Sequence, residues 1–232
     1  DLPRIEQENL DLGMRGALLS ALPHCGDEPV MVVSGNDVID PSGYAQLADA
    51  IEEGVTGALL AQKVERYFPG GYLEVDGRRI TRIVEKPGEG NEPSDLVNIV
   101  AHVHSNPAAL LEALQDVDES RDDGYEQALQ KLFVDHVYRA VPYEGAWQAV
   151  KYPWHLLELL PILLRDIEGQ DIHSSVTVHP SATIEGSVII EEGTRVLPNA
   201  CIVGPCYIGK NCIIANNALV RGSSIGDSCI VG

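Results

Sequence analysis

The sequence predicts an α/β domain with a largely parallel sheet, followed by a parallel β-helix. Three observations carry this prediction. Apolar runs such as Val30–Ser34 and Gly57–Gln62 alternate with stretches of helical spacing, the pattern of a sheet whose strands are buried on both faces. From Val178 onward an aliphatic residue returns every sixth position, at Val178, Ile184, Ile190, Val196, Ile202, Ile208, Ile214 and Val220, then after a one-residue slip at Ile225 and Val231. Four residues after each anchor stands a small or modest side chain: Ala182, Val188, Thr194, Ala200, Cys206, Cys212, Ala218, Ser224 and, past the slip, Cys229. Six is the period of the hexapeptide β-helix, in which short rungs stack on one another.

Taken in order, Met14 to Pro23 reads as a helix of small and apolar residues. Val30–Ser34 is a strand buried on both faces, and Gly35-Asn36-Asp37 follows it directly. Pro41–Glu53 has helical spacing through Tyr44, Leu47 and Ile51, and Gly57–Gln62 is the next buried strand. Tyr72–Val75 and Ile80–Val84 flank Asp76-Gly77, a hairpin signal. Leu96–His104 is a strand, 107–117 and 124–137 are helices, and Tyr138–Val141 is a strand. Trp154–Asp166 is an apolar helix in which Pro161 is expected to cause a kink or break. The polar, Gly-containing stretch Ile167–His173 is the expected junction, with one domain over 1–166 and the β-helix over 173–232.

Composition narrows the function. With 35 acids against 16 bases the net charge is −19, so nucleic acid phosphates and anionic membranes are not expected partners. Only five lysines occur, which suggests a protein adapted to a salty cytoplasm. No apolar run reaches bilayer-spanning length and no signal peptide is visible, so a cytoplasmic location is expected. Cys206, Cys212 and Cys229 fall on the small inward position of the repeat, and with no CxxC pair the thiols are expected to be buried and reduced. The chain opens at Asp1 without Met and stops in mid-repeat, as expected of a piece of a longer protein.

Two places could hold chemistry. Ligands bind beyond the carboxyl ends of parallel strands, which singles out Gly35-Asn36-Asp37. A carboxylate there can hold a hard divalent cation beside phosphates, although Asn and Asp also favour turns and helix caps. The second is Ile83-Val84-Glu85-Lys86-Pro87, where a Glu can accept from sugar hydroxyls and a Lys can neutralise a phosphate; a solvated ion pair at a strand end is the plainer alternative.

In combination these pieces resemble the sugar nucleotidyltransferases, which join a sugar 1-phosphate to a nucleoside triphosphate and release pyrophosphate. The resemblance runs through Gly13-Met14-Arg15-Gly16-Ala17, Val32-Val33-Ser34-Gly35-Asn36-Asp37 and Gly70-Gly71-Tyr72-Leu73-Glu74-Val75. It continues through Ile83-Val84-Glu85-Lys86-Pro87, Leu96-Val97-Asn98 and Gly145-Ala146-Trp147 to Pro153-Trp154-His155. It implies a Rossmann-like domain with a left-handed β-helix behind it and assembly into a homo-oligomer through that helix. It implies that Gln7 and Gly13 contact the nucleobase, that Gly71 and Asn98 touch the sugar, that Glu85 binds its hydroxyls and that Lys86 is the catalytic cation on its phosphate. Asp37, or Asn36, is implied as the ligand of a Mg²⁺ cofactor. Three departures from the family pattern stand out. Gly-Asp is replaced by Gly35-Asn36-Asp37, a second metal-binding Asp by Ala149, and a Gly by Val100. The family's glycine-rich loop, with its Arg and Lys, is expected to lie outside this piece, so that the piece alone is expected to be inactive. Two alternatives remain at this stage. One is a bifunctional protein that also transfers acyl groups, with His173 or His179 as the candidate base. The other is a non-catalytic protein that binds a nucleotide sugar.

Overall fold

The computed structural model describes residues 3–117 and 123–232. Contacts divide the chain into two compact units, Asp1–Trp147 and Gln148–Gly232. Helix α1 is Gly13–Ala21, β1 Val30–Val33, β2 Asp37–Ile39 and α2 Pro41–Asp49. Strands β3 Gly57–Lys63, β4 Gly71–Asp76, β5 Arg79–Glu85 and β6 Leu96–His104 follow. Helices α3 Pro107–Gln115 and α4 Gly124–Asp135 lead to β7 Tyr138–Pro142 and β8 Trp147–Ala149. Asn106 starts α3 by accepting from the Ala109 N–H at 3.0 Å, with Pro107 in the first turn, a pairing that suits a helix N-terminus.

The main sheet has the order β1-β6-β3-β7-β5-β4. It is mixed, and this corrects the expectation of mostly parallel pairing. Among the described residues of this sheet only β3 and β7 pair in parallel; β6 lies antiparallel between β1 and β3, and β4–β5 is an antiparallel hairpin. Strands β1, β3, β4 and β7 nevertheless share one direction. The reversal has a topological cause. A parallel return needs a crossover, which α2 supplies between β1 and β3. The hairpin then turns the chain at Gly77 without one, so β6 enters from the opposite end. Burial on both faces, which suggested parallel strands, is silent on direction. A second correction concerns β1. It is an edge strand among the described residues, and Met31 and Val33 are partly exposed rather than buried on both faces.

Side chains alternate between the two faces of the sheet. On one face Leu59, Ala61, Leu73 and Ile80 pack with Leu110, Leu114, Leu129 and Phe133 of α3 and α4. On the other, Ala58, Leu60, Ile99, Ala101 and Val103 pack with Leu47 of α2 and with Tyr143. The odd positions of β6 therefore carry apolar side chains toward α2, and the even positions carry Asn98, His102 and His104 toward α4.

In the second unit α5 runs His155–Leu164 and continues through Pro161 without the expected break. The β-helix follows. Thr177 pairs with Arg195, and Arg195 with Ile213, in parallel, so that three hexads make one 18-residue coil. The next pairing, Ile213 with Ile230, is one residue shorter and absorbs the slip. The first rung is Gln170–Ile172, paired with Val188–Ile190, so the repeat begins within the expected junction. Val188, Ile190, Val196, Ala200, Ile202, Cys206, Ile208, Cys212 and Ile214 fill its core. All five thiols are free, and Cys206 and Cys212 are buried. Cys229 is exposed, contrary to expectation, because its neighbouring rung is paired on one side only. The third residue after several anchors takes a positive φ, at Gly193, Asn199, Asn211, Asn217 and Ser228; these corners favour Gly and Asn.

Candidate active site

Glu85 ends β5 directly opposite Gly71, the first residue of β4. A Cβ on Gly71 would stand 3.1 Å from Glu85 Oε2, so the glycine lets the carboxylate lie over the strand. Lys86 follows with φ +44°, and its N–H donates to the Gly70 carbonyl at 3.1 Å. A non-glycine residue in this region is strained, and such strain clusters at functional sites. Lys86 Nζ stands 3.4 Å from Glu85 Oε1. Both side chains line a cavity of about 470 Å³, together with Met14, Arg15, Asp123, Tyr125 and Glu126.

Among the described residues the cavity thus holds two cations and three carboxylates. Arg15 is buried, and its Nε–H donates to the Leu114 carbonyl at 2.8 Å, at the carboxyl end of α3, where a guanidinium complements the helix terminus. Glu126 is pushed up to about 7, chiefly by burial and further by Glu85 and Asp123, against the pull of Lys86.

Asn98 is not among the residues lining the cavity and is tied to it only through buried groups. His102 Nε2 lies 2.8 Å from Asn98 Oδ1, and His102 Nδ1 lies 2.7 Å from the hydroxyl of Tyr125, a residue of the cavity lining. Gln7 and Gly13 meet each other, since Gln7 Nε2 donates to the carbonyls of Gly13 and Asn9 at 2.9 and 2.7 Å. Gly13 immediately precedes the cavity residues Met14 and Arg15.

Asp37 and Asn36 are not among the residues lining the cavity. Asp37 Oδ1 accepts from Trp147 Nε1 at 3.2 Å, and Asn36 Oδ1 accepts from the Ser34 hydroxyl. The Trp147 ring packs on Phe68 with centroids 4.8 Å apart, and Gly70, two residues on, is held by Lys86. Asp37 and Lys86 therefore border one loop, 68–70. Among the described residues no group of three or more His, Cys, Asp or Glu side chains could hold a metal ion. One carboxylate oriented by an indole suits a cation that arrives on a ligand's phosphates, not one caged by protein.

His173 and His179, the candidate acyl-transfer bases, are turn residues. The Nδ1 of each accepts the N–H of the serine two residues on, at 3.2 Å. Those serines, Ser175 and Ser181, accept from Gly193 and Asn199 of the next coil at 2.9 and 3.1 Å.

Sequence reasoning missed Arg15, His102, His104, Tyr125, Glu126 and Tyr138. One signal was available for the histidines: Asn98, His102 and His104 share the even face of a strand whose other face is apolar, and buried polar groups on one face require partners.

Known proteins bear on this arrangement. The family described as Nucleotidyl transferase matches residues 3–157, and Bacterial transferase hexapeptide (six repeats) matches residues 187–222. The glucose-1-phosphate thymidylyltransferase of Streptomyces antibioticus is 28% identical over 99% of this chain and 63% of its own length. A putative mannose-1-phosphate guanyltransferase of Sulfolobus acidocaldarius is 28% identical over 85% of this chain and 48% of its own. The chain therefore spans less than two thirds of these relatives. Among solved structures, a UDP-glucose pyrophosphorylase from Acinetobacter baumannii superposes with a TM-score of 0.59 at 19% identity, covering 70% of this chain and 60% of that one; it shares the fold.

Proposed function

The chain belongs to the nucleotidyl transferase family, and we propose that the whole protein joins a hexose 1-phosphate to a nucleoside triphosphate at the Glu85–Lys86 cavity. The observation that carries this reading is the meeting of Glu85 and Lys86 at one cavity of about 470 Å³, with the Glu85 carboxylate lying over the bare backbone of Gly71. A phosphate oxygen of the sugar 1-phosphate attacks the α-phosphorus in line. The new P–O bond forms as the bond to the β-phosphate bridging oxygen breaks, and pyrophosphate leaves. The protein's part is positioning and charge neutralisation. The Lys86 ammonium steadies the sugar phosphate, and the Glu85 carboxylate accepts sugar hydroxyl hydrogens over the bare Gly71 backbone. Asn98 adds a further sugar contact. Gly13 and Gln7 border the nucleobase. The Gln7 amide hydrogens are spent on the loop, so its Oε1 is what it offers a base. Mg²⁺ belongs to the same reading: carried by the triphosphate, it would screen the phosphate charge, with Asp37 as the protein carboxylate beside it. The β-helix is proposed to assemble copies of the chain.

The test is pyrophosphate release by the purified whole protein with Mg²⁺, hexose 1-phosphates and each nucleoside triphosphate in turn. Turnover is expected with at least one pair, and Lys86→Ala is expected to lower it by about a hundredfold or more. Release unchanged by Lys86→Ala would remove the lysine from its role. The relatives' names differ in nucleobase, so base preference is left to this assay. One observation favours a second reading, nucleotide-sugar binding without turnover: the buried, non-ligating Ala149 where many family members carry an acid. Binding with no product from any pair would establish it.

A further inference from the structure

A chain of five buried side chains crosses the first unit: Asn98, His102, Tyr125, His104 and Tyr138. The links are His102 Nε2 to Asn98 Oδ1 at 2.8 Å, His102 Nδ1 to the Tyr125 hydroxyl at 2.7 Å, His104 Nε2 to the same hydroxyl at 3.1 Å, and His104 Nδ1 to the Tyr138 hydroxyl at 2.9 Å. Each histidine thus uses both ring nitrogens, and Tyr125 joins the two.

Proton counting leaves few arrangements. Burial holds both imidazoles neutral: His104 is lowered to about 3, and His102, with His104 beside it, falls well below its usual range. Burial also keeps both tyrosines protonated. A neutral imidazole has one N–H and one lone pair, and a hydroxyl has one hydrogen to give. The chain therefore runs in one direction or the other throughout, unless both imidazoles donate to the Tyr125 oxygen, which leaves the buried Tyr125 hydrogen without an acceptor among these links. In the first direction Tyr138 donates to His104 Nδ1, His104 Nε2–H to Tyr125, Tyr125 to His102 Nδ1, and His102 Nε2–H to Asn98 Oδ1. Every hydrogen then has an acceptor. In the reverse direction the Asn98 amide donates inward, and the Tyr138 hydrogen is left at the far end. Among the described residues His104 is the hydrogen-bond partner of the Tyr138 hydroxyl, so that hydrogen would be buried without an acceptor, which costs more than one bond returns.

We propose that this chain fixes the polarity of Asn98, taking its Oδ1 inward and leaving its Nδ2 hydrogens as the face offered to ligand. His102, His104, Tyr125 and Tyr138 are then positioning residues, and the site selects a hydrogen-bond acceptor at Asn98, on a sugar 1-phosphate a hydroxyl oxygen. The ligand half of this inference rests on the function proposed above, whereas the polarity does not.

The two halves are tested separately on the full chain. Long-range ¹H–¹⁵N correlation at pH 7 reads the tautomers. Nε2–H on both His102 and His104 is expected, and Nδ1–H on either overturns the polarity. Titration calorimetry with glucose 1-phosphate, and separately with UTP and dTTP, reads the ligand half. Tyr125→Phe breaks the chain at its centre and is expected to weaken glucose 1-phosphate about tenfold while triphosphate affinity stays within about twofold. Asn98→Asp keeps the acceptor for His102 but offers ligand an acceptor in place of a donor. It too is expected to weaken glucose 1-phosphate about tenfold, and it decides the matter if the phenylalanine variant fails to fold. Unchanged affinity in Asn98→Asp overturns the ligand half. An unaltered protein that binds no glucose 1-phosphate overturns the proposed function, and the tautomers then decide the polarity alone.

Discussion

Glu126 stands in the cavity beside Glu85 and Asp123, and its carboxyl is pushed from 4.5 up to about 7, first by burial and then by those neighbours. An acid whose folded value is raised leaves stability intact below its unfolded value and takes it away as pH rises through the folded one. The window is therefore about 4.5 to 7. Across it the shift corresponds to roughly 3 kcal/mol at most. Glu126→Gln removes the charge at every pH. The variant is expected to unfold at the same temperature as the parent below pH 4.5 and at a higher one at pH 8, with the gap opening between. A gap independent of pH would mean that Glu126 is ionised in the fold without cost. The same position shows where reading from sequence stops. Glu85 and Lys86 were legible because a strand end with Pro87 behind it is a local pattern. Glu126 and Arg15 were not, because what makes them notable is the cavity, and the cavity exists only once α1 and α4 meet the end of β5.

The hexad repeat was the most legible element, since its period is written directly in the chain and each rung needs only its neighbour. Anchors such as Ile190, Val196, Ile202, Ile208 and Ile214 are all buried. The slip between Val220 and Ile225 reappears as a 17-residue pairing of Tyr207 with Ser224. Thr194 occupies an inward position usually held by Ala or Cys. It is fully buried, and its hydroxyl donates to the Gly209 carbonyl at 2.8 Å while accepting the Cys212 N–H at 2.9 Å. Thr194 thus staples one coil to the next. Thr194→Val keeps shape but leaves two buried backbone groups unpaired, for a cost of about 1–3 kcal/mol. Thr194→Ser keeps both bonds. Thermal unfolding should place the valine variant several degrees below the parent and the serine variant close to it; equal losses would mean that packing, not the staple, sets the cost. Strand direction in the main sheet was less legible than the repeat. Apolar runs report burial, and the reversal of β6 depends on a hairpin, not on any residue within β6.

At the scale of the whole molecule the charge is unevenly placed. Of the 35 acids and 16 bases, Asp1–Trp147 holds 27 and 11, a net of −16, and Gln148–Gly232 holds 8 and 5, a net of −3. Self-repulsion should therefore burden the first unit far more than the β-helix. Salt has two opposing effects there. It weakens exposed ion pairs such as Lys63–Asp95 at 3.3 Å and Arg139–Glu52 at 2.8 Å, but such pairs are worth about 0–1 kcal/mol each. It also shortens the screening length from about 10 Å at roughly 0.1 M to about 3 Å at roughly 1 M, which relieves repulsion among many more acids than have partners. Relief should win in the first unit. Hydrogen exchange read peptide by peptide is expected to show protection of β3 and β6 rising from low to molar KCl. The rungs Cys201–Val203 and Leu219–Arg221 of the second unit should change little. Equal gains in both units would point to a general salting effect on burial in place of charge. Loss of protection in β3 and β6 would mean that the ion pairs outweigh the repulsion, and would count against a chain suited to a salt-rich interior.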